Sequence, residues 1–254
     1  MALTSRSLFL YGLEITDDNS SLDFRYPSGG PTYAATLRTG YYSLNGLWTE
    51  VVRAMVEVVP AFVGAFSINR TINSGTENRT TLTSASGTFD LLFLTGPRAA
   101  TSCRAILGYN AADYTGANNY ITAATAGTAL ISEREGYSYL GTDFIRRVQG
   151  AVNISASGEK EAVVFQVQRF WQTEFRFEPE SKVMTEWTPM MEWLIQQREF
   201  EFTPEISSPS LVYEGTLEKT DADSKGLGFE FKEMLPDFPF YYRTGMMQFR
   251  LKQT

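Results

Sequence analysis

Short apolar/polar alternations recur along most of this chain, and only two stretches of any length carry helical spacing. The first runs, Leu8 to Ile15 and Leu22 to Tyr26, read as strands around the turn residues Asp17-Asp18-Asn19-Ser20. Pro27-Ser28-Gly29-Gly30-Pro31 breaks the chain before another strand, Thr32 to Leu37. The first helix is then predicted over 43–59. Ser43 is its N-cap, and Leu44, Trp48, Val51, Val52, Met55 and Val59 form its apolar stripe. Glu50, Arg53 and Glu57 fall on the other side, and Pro60 stops it.

Strands are expected at Phe62 to Ile72, Arg79 to Ser84 and Phe89 to Leu94, the last a near-continuous apolar run suited to burial. Thr101 caps an expected short helix, Ser102 to Leu107, which Gly108 closes. Ala111 to Ala129 is poor in large apolar residues and reads as an ordered loop or a sheet-edge excursion. Beyond Gly136, strands are predicted at Val148–Ile154, Ala162–Phe170, Leu211–Leu217, Gly226–Phe231 and Met246–Leu251, with Phe175/Phe177 and Phe200/Phe202 continuing the alternation. A second helix, over 186–197, has Thr185 or Thr188 as its cap and Pro189 in its first turn. Its apolar face is Trp187, Met190, Met191, Leu194 and Ile195. The fold expected is α+β, mainly antiparallel β, in two sheet-plus-helix modules: a β-rich module over 1–135 and a β-sandwich-like one over 136–254.

The 254 residues suffice for one large domain or two ordinary ones, with a sizeable buried core. Composition narrows the chemistry more sharply. There is no histidine and a single cysteine, Cys103, so Ser-His-Asp and Cys-His catalysis and an intrachain disulfide framework are excluded. A net charge of −7 without a basic run argues against specific nucleic-acid binding. Aromatic residues reach 14%, which suits sheets and protein contacts. The apolar stretch Leu8 to Leu13 is too short for an ordinary export signal or a membrane span, so no membrane association is expected. Asn-x-Ser/Thr triplets at Asn19, Asn69, Asn78 and Asn153 read as chance.

Five groups are candidate sites. Glu178 with Glu180, and Asp221 with Asp223, are paired carboxylates of the kind used in glycoside hydrolysis or Ca²⁺ binding. A solvated turn or strand end accounts for each more simply. Gly226-Leu227-Gly228 lacks the helix a phosphate cradle needs. Cys103 begins a short helix, where a thiol pKa can fall, but no base accompanies it and a packing role is expected. Trp48, Trp171, Trp187 and Trp193, with Met190 and Met191, are core candidates before they are surface ones. The sequence therefore assigns no catalytic, cofactor-binding or metal residue.

A resemblance adds what these patterns do not. Thr36-Leu37-Arg38-Thr39-Gly40-Tyr41-Tyr42-Ser43 leads into the first helix. Phe89-Asp90-Leu91-Leu92-Phe93-Leu94-Thr95-Gly96 follows, then Thr101-Ser102 with Ile106-Leu107-Gly108-Tyr109, then Ala112 to Ala117. Together these residues resemble a module of tailed-bacteriophage virion proteins. Phe175 to Glu178, Trp187 to Trp193 and Phe200-Glu201-Phe202-Thr203-Pro204 are similar, less specifically, to tail and baseplate proteins with a tail-tube-like fold.

The resemblance implies a non-enzymatic structural subunit of a phage virion, a distal-tail-like or minor tail protein assembled in the bacterial cytoplasm. Its partners would be other virion proteins and copies of itself in a ring, a hexamer by preference, without cofactor. The acidic balance suits a lumen through which DNA slides. A head–tail connector, or a minor capsid or decoration protein, is the alternative within the particle. A carbohydrate-binding adhesion module using Tyr137, Tyr139, Tyr241 and Tyr242 is the alternative of another class.

Overall fold

The computed structural model describes residues 4–72, 78–123, 128–135, 143–154, 157, 160–175, 178–203, 213–220, 232–235 and 238–252. In chain order the first elements are β1 Thr4–Tyr11, β2 Glu14–Ile15, β3 Ser21–Arg25, β4 Thr32–Thr36, β5 Gly40–Tyr41, α1 Leu44–Val58, β6 Phe66–Ile72 and β7 Asn78–Ser84. Then come β8 Phe89–Leu91, α2 Arg104–Leu107, β9 Tyr114–Ala117, β10 Asn119–Ile121 and β11 Thr128–Glu135. The later elements are β12 Asp143–Ile154, β13 Lys160–Thr173, β14 Glu178–Pro179, α3 Glu180–Lys182, α4 Thr188–Ile195, β15 Phe200–Thr203 and β16 Tyr213–Thr220. β17 Lys232–Leu235, β18 Phe238–Arg243 and β19 Met247–Leu251 complete the series. The fold is α+β, mainly antiparallel β, as the alternation predicts.

The chain divides into two units: Ser5–Glu133 with Glu199–Val212, and Arg134–Arg198 with Tyr213–Thr254 and Met1–Thr4. Residues 199–212 thus group with the N-terminal unit, although their position in the sequence places them in the second module. The reason lies in three neighbouring side chains. β15 pairs antiparallel with β1, Leu10 opposite Glu201. Phe202 and Phe200 lie 4.7 and 6.0 Å from the Phe9 ring. Glu201, 1% exposed at its side chain, receives both ends of the Arg70 guanidinium at 2.9 and 2.5 Å.

In the N-terminal unit, β4–β3–β8–β9 form one antiparallel sheet, β10–β7–β6 a second, and β2–β5 a short ribbon. Helix α1 contacts β4 and β6 and buries Leu44, Leu47, Trp48, Val51, Ala54 and Met55 in the core. Its N-cap is Ser43, whose side chain accepts from Gly46 N–H at 3.1 Å. It ends as predicted, because Val59 precedes Pro60 and is forced to extended backbone. The core centre is aromatic: Phe24, Phe62, Phe66 and Phe89 meet mostly edge to face at centroid separations of 5.6–6.2 Å.

Several elements depart from the sequence reading. The Phe62–Ile72 run begins as a 3₁₀ turn, Pro60–Phe62, so its strand starts only at Phe66. α2 starts at Arg104 with Cys103 as its N-cap and no side-chain cap, so Thr101 does not cap it. Gly108 does close it, at φ 82°, a backbone glycine adopts without penalty. The Ala111–Ala129 stretch, by contrast, is the sheet-edge excursion expected: it supplies β9 and β10, each at the edge of a sheet of the N-terminal unit. Gly226–Phe231 and Phe177 lie outside the described residues.

In the C-terminal unit, β16–β19–β13–β12 are antiparallel, with Trp171 stacked on Phe249 at 5.2 Å, and β14–β18–β17 form a smaller sheet. The second helical run begins at Glu180, six residues earlier than predicted, and neither Thr185 nor Thr188 caps it. It passes through a π turn, Val183–Trp187, before α4. Pro189 explains the turn. Proline has no N–H and crowds the carbonyl four residues back, so a regular α turn is disfavoured there. The Thr188 N–H instead donates to Val183 O, five residues back, and its hydroxyl adds a second bond at 2.9 Å. Trp187, Met190, Met191 and Leu194 are buried.

Removing one partner of a buried ion pair strands the other, at a cost of about 3–5 kcal/mol, whereas removing both does not. Arg70→Met is therefore expected to lower the urea midpoint markedly, and Arg70→Met with Glu201→Leu to recover most of the loss. Equal losses in the single and double variants would contradict the pairing.

Candidate functional site

The first group of residues carrying the virion-protein resemblance lies in the N-terminal unit, where buried carboxylates within it and beside it are matched by donors from the same unit. Asp23 on β3 is 3% exposed. It accepts from the Arg98 backbone N–H at 2.7 Å and from Arg98 Nε at 2.8 Å. The rest of that guanidinium reaches Thr36 Oγ1 at 2.8 Å and Ala35 O at 2.7 Å on β4. A Cβ on Gly96 would come within 2.6 Å of Asp23 and 2.5 Å of Leu92 O, so only glycine lets the loop close over the carboxylate.

Asp90 on β8 is 2% exposed and accepts from Ser28 Oγ at 2.5 Å, Gly29 N–H at 3.1 Å and Gly116 N–H at 2.9 Å. Burial pushes its pKa up, but these bonds, with the nearby Arg25 charge, more than offset that and hold it below the ordinary carboxylate range. Asp113 accepts from Leu94 N–H at 2.6 Å and Thr95 Oγ1 at 2.5 Å. Its pKa is lowered in the same way, burial again opposing the bonds.

Glu50 corrects the helical-wheel reading, which places it on the solvent side of α1. It is 7% exposed, accepts from Arg38 N–H at 2.7 Å, and is gripped by Arg53 at 2.6 and 2.5 Å. Burial raises its pKa, yet Arg53 and the Arg38 amide bring it below the usual value. Wheel geometry alone does not reveal this. The Glu50/Arg53 pair at i, i+3 is the signal the sequence offers for it.

These carboxylates are internal fasteners; those of Asp23 and Asp90 join segments far apart in sequence, those of Glu50 and Asp113 nearer ones.

The remaining candidates separate in the same direction. Cys103 is fully buried, and burial pushes its thiol up to about 12, opposite to the direction a nucleophile needs. Glu178 is 5% exposed, with Lys182 Nζ at 3.6 Å, whereas Glu180 is exposed. Trp48, Trp171, Trp187 and Trp193 are all buried. Asp221, Asp223, Gly226–Gly228, Tyr137 and Tyr139 lie outside the described residues. Among the described residues, no group of three or more Cys, Asp or Glu is placed to hold a metal ion, and no helix is long and apolar enough to cross a membrane.

Exposed apolar side chains mark the surface more clearly. Among the described residues of the C-terminal unit they are Met184 on the π turn, 65% exposed, and Phe240 and Tyr241 on β18, 62% and 42% exposed. Phe240 has φ 76°, rare for an aromatic residue and costly. Strand alternation would turn one of two consecutive residues inward, but both Phe240 and Tyr241 face water. Tyr241 pairs with Pro179, which leads into the helical run that carries Met184. Tyr242 is half-buried opposite Glu178. In the N-terminal unit the exposed set, Tyr41, Val63, Leu94 and Ile121, is spread over separate segments.

No family model, curated protein or solved structure matches this chain.

Two measurements check this account. Cys103 is expected to resist a maleimide at pH 8 in the folded protein and to react once in denaturant; rapid labelling of the native chain would contradict its burial. Glu50, Asp90 and Asp113 have folded pKa values below their unfolded ones (about 3.9 for Asp and 4.3 for Glu). Their contribution is therefore present above those unfolded values and is lost as pH falls through the folded ones. The urea midpoint should drop below about pH 4, less steeply in Asp90→Asn; a midpoint level down to about pH 2.5 would contradict the assignment.

Proposed function

We propose that this protein is a non-enzymatic structural subunit of a tailed-bacteriophage particle, a tail or baseplate component of the distal-tail-like kind, working through protein–protein interfaces. The observation that best supports the reading is the fate of the resemblance residues. Thr36, Asp90, Thr95, Gly96 and Asp113 fold into one unit and fasten it internally. A module whose distinctive residues hold its own shape suits a part that must stay rigid while its surfaces engage neighbours.

Antiparallel sheets with exposed aromatic and methionine side chains are consistent with the same role, because such residues anchor interfaces. The acidic balance suits a surface over which DNA passes without binding. Partners on this reading are other virion proteins and further copies of the chain, in a ring. The location is the phage tail, with a connector or decoration role as the alternative in the same particle.

Exposed Phe240 and Tyr241 favour a second reading, a sugar-stacking adhesion surface. A glycan-array signal lost in Tyr241→Ala would support it.

Quantifying the protein in separated particle fractions tests the main reading. It is expected in purified tails, at a constant number per particle, and missing from tail-less heads. Its presence in heads alone would move it to the connector or decoration role, and its absence from all particles would overturn the virion assignment.

A further inference from the structure

We draw no further inference here: the strongest candidate, the exposed apolar patch of Met184 on the π turn with Phe240 and Tyr241 on β18, is an unpartnered face, and nothing in the structure shows what covers it.

Discussion

A carboxylate on a buried strand has to be matched from inside the protein, and Asp23 organises much of the N-terminal unit for that reason. Its partner, Arg98, reaches it only because Gly96 lets the loop after β8 pass within van der Waals contact. The same guanidinium then binds Ala35 and Thr36 on β4, so one ion pair fixes β3, β4 and the loop together. Asp90 and Glu50 repeat the device, one holding the Ser28–Gly29 turn and β9 to β8, the other holding α1 to the Arg38 backbone. Such groups contribute less net stability than apolar packing would, because desolvation offsets much of the attraction. Mismatching them is costly, so they discriminate against other arrangements of the same strands.

The aromatic core works alongside this. Phe24, Phe62, Phe66 and Phe89 are apolar enough to drive collapse, but rings can repack in several ways. The buried carboxylates tie the strands around those rings to fixed donors, and Glu201 with Arg70 ties in a strand lying far along the sequence.

What the sequence made legible follows from which forces are local. Helix α1 was readable from cap to stop because Ser43, the apolar stripe and Pro60 act within a few residues. Strands such as β3, β4 and β7 followed from alternation and turn residues. The π turn escaped because Pro189 was read as a helix start, when helix precedes it as well. β15 joined the N-terminal unit through Phe9 and Arg70, partners that no local pattern reveals. Glu50 falls on the polar side of the helical wheel, since burial of a carboxylate depends on donors brought from elsewhere. As for a site, the absence of histidine removed whole classes of chemistry at once. The exposed Phe240 was not foreseeable, because it depends on one backbone angle.

On the proposed reading the chain holds its own shape through internal fasteners and acts through association. The most direct test is the mass of the purified protein by light scattering coupled to size exclusion. The account predicts a discrete closed assembly of several copies, sixfold by preference, at physiological salt. A monomer that stays monomeric at the highest attainable concentration would contradict self-assembly into a ring.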